Sequence, residues 1–200
     1  LNTLPSTFSN VFVDAEGTAY STCMGKGTDL LKKHSTNGTN LFKNVIASSD
    51  AFTDVIADSN GIIYASDSKG YIYVYTRDGE LIFSLGEKAG NNDVSGLFSS
   101  LTTIAVDNNG NIWTADGKKG FIQSFTPTEY ATTIYKALQE YENGDYTDAL
   151  KDWNYVLRLN QMSVLAHNGV AKAYYNDEEY DKAMEHFEIA GNRSGYSDAF

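Results

Sequence analysis

Carboxylates recur at fixed places in the first 130 residues of the chain. Asp14, Asp58 and Asp107 hold one position in FSNVFVDAEGTAYSTC, FTDVIADSNGIIYASD and LTTIAVDNNGNIWTAD. DSNG and DNNG match the start of a calcium loop, but the acidic residue that closes such a loop is missing downstream. The same residues suit a tight β-hairpin, with Asn and Gly at positive φ, and that is the expected role. Asp67 and Asp116 close IYASD and IWTAD and are followed by Lys69, Lys118 and Lys119. These groups are candidates for one polar face. Their carboxylates either join a metal site or hold their loops by accepting backbone N–H groups. Cys23 stands where a third such aspartate belongs, and is expected to be a loop thiol without chemistry.

Little else here has catalytic spacing. There is no His-Glu-x-x-His, no Cys-x-x-Cys and no phosphate loop. His34 falls in LKKHST, His167 on a first helix and His186 on the outer face of a second helix, each expected to serve surface or packing. Tyr64 and Trp113 occupy matching places and are expected to pack between sheets. Asn37 and Asn192 sit in glycosylation-type triplets, which arise often by chance. No catalytic residue, metal or cofactor is expected.

Of the 200 residues, 42% are hydrophobic and 20% charged, which suits a globular chain with a sizeable core. The net charge of −11 and the lack of a basic cluster exclude a nucleic-acid backbone as partner. One cysteine allows no internal disulfide. No apolar run approaches membrane-spanning length, so direct membrane insertion is not expected within this segment. The opening LNTLPSTF has no Met and no basic-then-apolar leader, so a removed signal or anchor is compatible with it.

The elements that must position these residues repeat. The three aspartate segments are spaced by 44 and 49 residues. VIAD, IIYAS, GYIYVY and ELIFSL read as four short strands, with RDGE a turn of Asp-Gly chemistry. A period of 40 to 50 residues with four strands each is the signature of propeller blades. From Ala131 the spacing turns helical, and features recur after 34 residues: Ala137 and Ala171, Tyr146 and Tyr180, Ala149 and Ala183, Trp153 and Phe187. The alanines allow close helix approach, and the aromatics fill the gap. Gly144 ends one helix; Glu178 stands in its place in the second copy. YSDAF reads as the start of a further helix.

The segment GLFSSLTTIAVDNNGNIWTADGKKGFIQSFTP, and nearly as well the one from Phe52, resembles the NHL-type β-propeller repeat. The 34-residue period, with ENGDYTDAL and NDEEYDKAM at the inter-helix turn, resembles the tetratricopeptide repeat (TPR). The expected fold is therefore multidomain β plus α. A partial NHL-like propeller of about three four-stranded blades (about 1–50, 51–100 and 101–129) is followed by a TPR helical array over 130–200, of two repeats and the start of a third helix pair. The third blade has no fourth strand before the helices, so the propeller is expected to be part of a larger one, or to pair with a second copy.

The resemblance also bears on function. In TPRs the first helices line a groove, which the 34-residue register maps onto Ile134, Leu138, Tyr141, Leu165, Asn168, Lys172 and Tyr175. A protein or peptide ligand suits that surface, and carbohydrate is a further expected ligand of the chain. Residues 131–200 carry 6 basic and 12 acidic groups, against 9 and 14 in residues 1–130, so the helical part is the more acidic. NHL blades followed by TPR helices resemble the external part of bacterial membrane proteins with a Yip-like multi-pass domain, some associated with sugar transport. The expected role is a non-enzymatic scaffold or binding module outside the cytoplasm, tethered to a membrane through parts not in this chain. The alternative is a metal-dependent lactonase-like propeller hydrolase, whose metal would lie near Asp67 and Asp116.

Overall fold

The computed structural model describes residues 7–25, 30–89 and 94–200. Residues 26–29, inside the degenerate part of the first repeat, lie outside the described set. The chain divides into two compact units between Thr126 and Pro127; the change of period had put that border at 129/130.

In the first unit, runs of β-branched and aromatic residues form short strands that pair in chain order. β1 (Thr7–Val13), β2 (Ala19–Met24) and β3 (Leu31–His34) make one antiparallel sheet. β4 (Phe52–Ala57), β5 (Ile63–Asp67), β6 (Ile72–Tyr75) and β7 (Leu81–Leu85) make the second. A short parallel pair, β8 (Glu87–Lys88) with β9 (Leu97–Phe98), precedes the third sheet. That sheet joins β10 (Leu101–Val106), β11 (Ile112–Asp116) and β12 (Phe121–Phe125). The repeat holds to the residue: Phe8 pairs with Cys23, Phe52 with Asp67 and Leu101 with Asp116. Each first strand then shifts register two residues after that pair, at Asn10, Asp54 or Thr103.

Among the described residues, only the second sheet has the four strands expected of each. In the first repeat residues 41–50 form no strand. Phe42 and Ile46 turn inward instead, and both are buried. They lie so close to the β6–β7 turn that a Cβ on Gly79 would meet Phe42 Cδ1 at 2.9 Å and Ile46 Cδ1 at 3.1 Å. The apolar pair thus covers the neighbouring sheet's turn rather than extending its own sheet. The core joins the first two sheets through Phe12, Tyr20 and Leu31 on one side and Val55, Ile63, Ala65 and Tyr75 on the other.

The second unit holds α1 (Glu129–Asn143), α2 (Tyr146–Leu159), α3 (Val164–Asn176), α4 (Tyr180–Ile189) and α5 (Arg193–Ala199). Thr128, Ser163 and Asn192 cap α1, α3 and α5 by accepting the N–H of Ala131, Ala166 and Gly195. Ala137, Ala149, Ala171 and Ala183 are fully buried, as their 34-residue recurrence requires, and Trp153 and Phe187 are buried beside them. Gly169 on α3 makes room for the Trp153 ring: a Cβ there would meet Cδ2 at 2.6 Å. The last helix starts at Arg193, ahead of YSDAF, because Gly191 leaves α4 at φ 67° and Asn192 caps the new helix.

Three helix ends in this unit are built alike, the one after α4 at Gly191, whose N–H bonds Glu188 O while the next N–H reaches Phe187 O. At Gly144 (φ 86°) the residue's own N–H bonds Tyr141 O, and the next N–H reaches Glu140 O. Glu178 and Glu179 repeat this on Tyr175 O and Tyr174 O, with Glu178 at φ 60°. Among the described residues Glu178 alone is a non-glycine with positive φ. A side chain there costs about 1–2 kcal/mol. Glu178→Gly is therefore expected to stabilise the helical unit by about 1 kcal/mol, raising its melting temperature by roughly 4–8 °C. An unchanged or lower midpoint in calorimetry would contradict this account of the turn.

Candidate functional site

The repeated aspartates form one construction. Asp14 Oδ1 accepts the N–H of Glu16 (3.0 Å) and Thr18 (2.8 Å), Asp58 Oδ1 that of Asn60 and Ile62 (both 2.9 Å), and Asp107 Oδ1 that of Asn109 (2.9 Å) and Asn111 (3.0 Å). The other oxygen receives the head of the aromatic six residues on: Tyr20 OH (3.4 Å), Tyr64 OH (3.3 Å) or Trp113 Nε1 (3.0 Å). The third residue after each aspartate, Gly17, Gly61 or Gly110, is left-handed. The asparagines before Gly61 and Gly110 are not, against the expectation from DSNG and DNNG. Hydrogen bonds from Asn111 and Trp113 hold the Asp107 carboxyl at about 2, whereas burial pushes the Asp58 carboxyl up. The hairpin role of these residues thus has a full geometric account.

Asp67 uses the same geometry at the opposite end of its sheet. Its Oδ1 accepts from Lys69 N (2.9 Å) and Tyr71 N (3.0 Å), and its Oδ2 from Ser49 Oγ (2.7 Å) and Tyr73 OH (3.2 Å). Burial, with the Asp67 charge behind it, pushes the Tyr73 phenol up to about 12. Asp116 has one more residue in its loop and accepts from Lys118 N (3.0 Å), Lys119 N (2.9 Å) and Ser99 N (2.6 Å), with Ser100 N at 3.3 Å. Burial works to raise its carboxyl, but these amides outweigh it and hold the group below its usual range. Lys69 and Lys118 therefore bind the aspartates through their backbone. The Lys69 ammonium instead pairs with Asp50 at 2.6 Å, in the open. No three His, Cys, Asp or Glu side chains come together in a metal-holding group among the described residues. Cys23 is a buried strand residue, not a loop thiol, and burial pushes its pKa up.

Two polar residues escaped the sequence reading. The Asp78-Gly79 turn owes its side-chain acceptor to Thr76, whose Oγ1 takes the Glu80 N–H at 3.1 Å, rather than to Asp78. Asp54, buried at its bulge, accepts from Thr103 Oγ1 (2.6 Å), Ile104 N (2.9 Å) and Val55 N (2.9 Å), and from the Asn10 amide. Asn10, Asp54 and Thr103 are the same repeat position in three successive sheets. The signal was available in a polar residue two after Phe8, Phe52 and Leu101, but differing residue types hid it.

On the helices, the seven groove candidates separate. Ile134 is fully buried, and Asn168 is buried with its Oδ1 accepting from Asn192 Nδ2 at 2.7 Å, so both serve packing rather than an open face. The Asn192 amide, which also caps α5, is thereby engaged at both ends. Leu138, Leu165 and Lys172 are half-buried. Tyr141 OH accepts from Asn176 Nδ2 at 3.0 Å, joining α1 to α3, and Tyr175 is exposed edge-on to Tyr180. His186 is not on an outer face: its Nδ1 lies 3.0 Å from His167 Nδ1, with the rings 5.1 Å apart. His167 Nε2 donates to Gln161 O (3.1 Å), so neutral His167 accepts at Nδ1 and His186 donates.

Comparison with family models gives no match, nor does comparison with curated proteins. Among solved structures, a protein of unknown function from Bacteroides caccae is similar at 14% identity and TM-score 0.46, over 63% of this chain and 45% of that one. A streptogramin B lyase is similar at 15% and 0.44, over 64% and 43%. The extracellular domain of a hybrid two-component system from B. thetaiotaomicron is similar at 16% and 0.39, over 63% and 18%. The chain thus spans under half the length of each. The antiparallel sheets and five helices define a β-propeller-like unit and a helical unit.

Two measurements check these assignments. Asp67→Ala leaves four donors unpaired and is expected to cost about 3 kcal/mol or more in urea unfolding. Asp50→Ala removes only an exposed pair and should cost less than about 1 kcal/mol. Similar costs for both would refute the turn-holding role.

The histidine pair sets a pH dependence. Burial, then the neighbouring His167, holds the His186 pKa below its ordinary 6.5, with Glu185 opposing. The unfolded chain then binds more protons below 6.5, so this contribution is full above that pH and is lost as pH falls toward the lowered value. The melting temperature of the helical unit should fall on acidification from neutrality, and His186→Phe should flatten the fall. A variant with the same slope would show that the pair does not carry it.

Proposed function

We propose that this chain is a non-enzymatic binding module whose helical unit takes a protein or peptide. The observation carrying this reading is the set Leu138, Tyr141, Lys172 and Tyr175, each at least partly accessible. The Tyr141–Asn176 bond and the Tyr175–Tyr180 contact hold the aromatic members in place. Aromatic groups fixed before binding lose little entropy on binding and make effective anchors. The acidity of residues 131–200 favours a ligand with basic groups.

The finer reading is a TPR-type array after NHL-type blades. The 34-residue recurrence of buried alanines supports the first, and the shared register of the three sheets supports the second. With it goes a place outside the cytoplasm, in a protein tethered to a membrane through other segments and associated with sugar transport, with carbohydrate a further ligand. The lactonase-like alternative needs carboxylate oxygens free for a metal. Those of Asp67 and Asp116 are occupied by donors, which favours the binding module.

Peptides selected from a random display library against this chain test the proposal. Tyr141→Ala with Tyr175→Ala is expected to weaken the selected peptides at least about tenfold, or about 1.4 kcal/mol, with the circular dichroism spectrum retained. Unchanged affinity would overturn the helical site. Lactone hydrolysis that depends on an added divalent ion and is lost in Asp116→Asn would establish the enzyme instead.

A further inference from the structure

The three sheets make the same positions do different things. The first-strand residue buried at Phe52 (0%) and Leu101 (3%) is 67% exposed at Phe8. Two strand positions across the bulge, Val55 (2%) and Ile104 (6%) are buried, while Val11 is 67% exposed. On the opposite face the order reverses: Tyr20 (1%) and Tyr64 (0%) are buried, and their counterpart Trp113 is 44% exposed. Ile122, which pairs with Ala115 as Ile72 pairs with Ser66, is 69% exposed against 0% for Ile72. None of this apolar surface is a random scatter. It is one face of the first sheet and the opposite face of the third.

The internal seams show what these faces fit. Between the first two sheets, the Tyr20 face of the earlier sheet packs on the Val55 face of the later one. β10 packs in turn on β4 and β5. Every seam therefore joins a Tyr20-type face to a Val55-type face. The third sheet ends in a bare Tyr20-type face (Trp113, Ile122). Among the described residues, the first begins with an exposed Val55-type face (Phe8, Val11, Val13). The polar row Asn10–Asp54–Thr103 crosses the same seams and has Asn10 and Thr103 as its end members.

We propose that these two faces are the halves of one further seam and that a second copy of this chain closes it head to tail. The Trp113 face of each copy seats on the Phe8 and Val11 face of the other. The occupant is a copy because this chain carries both complementary faces, and two copies of three sheets give a ring of six, within the four to eight that propellers use. A heterologous contact of this kind ends in a closed assembly only if the rotation completes a ring. Here the repetition of one seam supplies that rotation.

Light scattering of the 200-residue chain tests this, with a mass of twice 22.0 kDa expected. Val11→Asp and Ile122→Asp lie at exposed sites and should keep the circular dichroism spectrum of the parent. Each alone should give monomer, since each spoils both seams. An equimolar mixture should regain dimer through the one seam whose two faces are intact. Three results would overturn the proposal. A monomeric parent at all concentrations would mean that the faces are bare or are covered by blades of a longer polypeptide. A dimer lost with Val11→Asp but kept with Ile122→Asp would mean like faces meeting. A mass that keeps climbing with concentration would mean an open chain.

Discussion

A single hydrogen-bonding device fixes the sheet unit: a side-chain oxygen at the start of a turn that accepts the N–H four residues on. Asp14, Asp58, Asp67 and Asp107 do this with a carboxylate, and Ser35 and Thr76 with a hydroxyl. In all six the third residue on is a glycine at positive φ, whose N–H returns to the first residue's carbonyl. Strands this short have little pairing energy of their own, and a turn that satisfies its own amides sets register before packing begins. The carboxylate versions add a cross-link to the aromatic six residues on, so the turn also orients a large side chain, which is buried at Tyr20 and Tyr64.

Register then determines packing between sheets. The bulge in each first strand turns Asn10, Asp54 and Thr103 toward one another. Without that extra residue the side chains beyond it would exchange faces, and Val55 would leave the core. A buried carboxylate tolerates this place because Asp54 receives two backbone N–H groups and two side-chain donors. The row is polar, yet it aligns two apolar seams.

Legibility from sequence followed the range of the interaction. The strands, the hairpins and the 34-residue helical recurrence depend on neighbours within a few residues, and their patterns survive in composition. Phe42 and Ile46 look like the fourth strand of the first sheet, and only the presence of the Gly79 turn beneath them explains why they are not. Asp54 is bound by partners 44 and 49 residues away, so no local pattern marks it. Cys23 aligns with Asp67 and Asp116 and is buried as they are, but its strand runs on to Met24, so it is no loop thiol. Of the groove candidates that the register offers, Ile134 and Asn168 are claimed by packing from residues that the register alone does not see.

The helical unit solves the same problem of chain reversal with different chemistry. Its turns rely on a left-handed residue and two backbone bonds, with no side-chain acceptor at Gly144 or Glu178. That leaves the side chains near the turns unengaged by the turn itself. Tyr141 and Tyr175 precede Gly144 and Glu178 by three residues each, and their carbonyls accept the turn's N–H while their rings project elsewhere. In the sheets the turn consumes its polar side chains and ties its aromatics to the turn carboxylate. In the helices the backbone closes the turn alone, and the aromatics remain available at the surface. A ligand site therefore costs the helical unit less stability than it would cost the sheets, where any polar turn group recruited to a ligand would release amides that nothing else can satisfy.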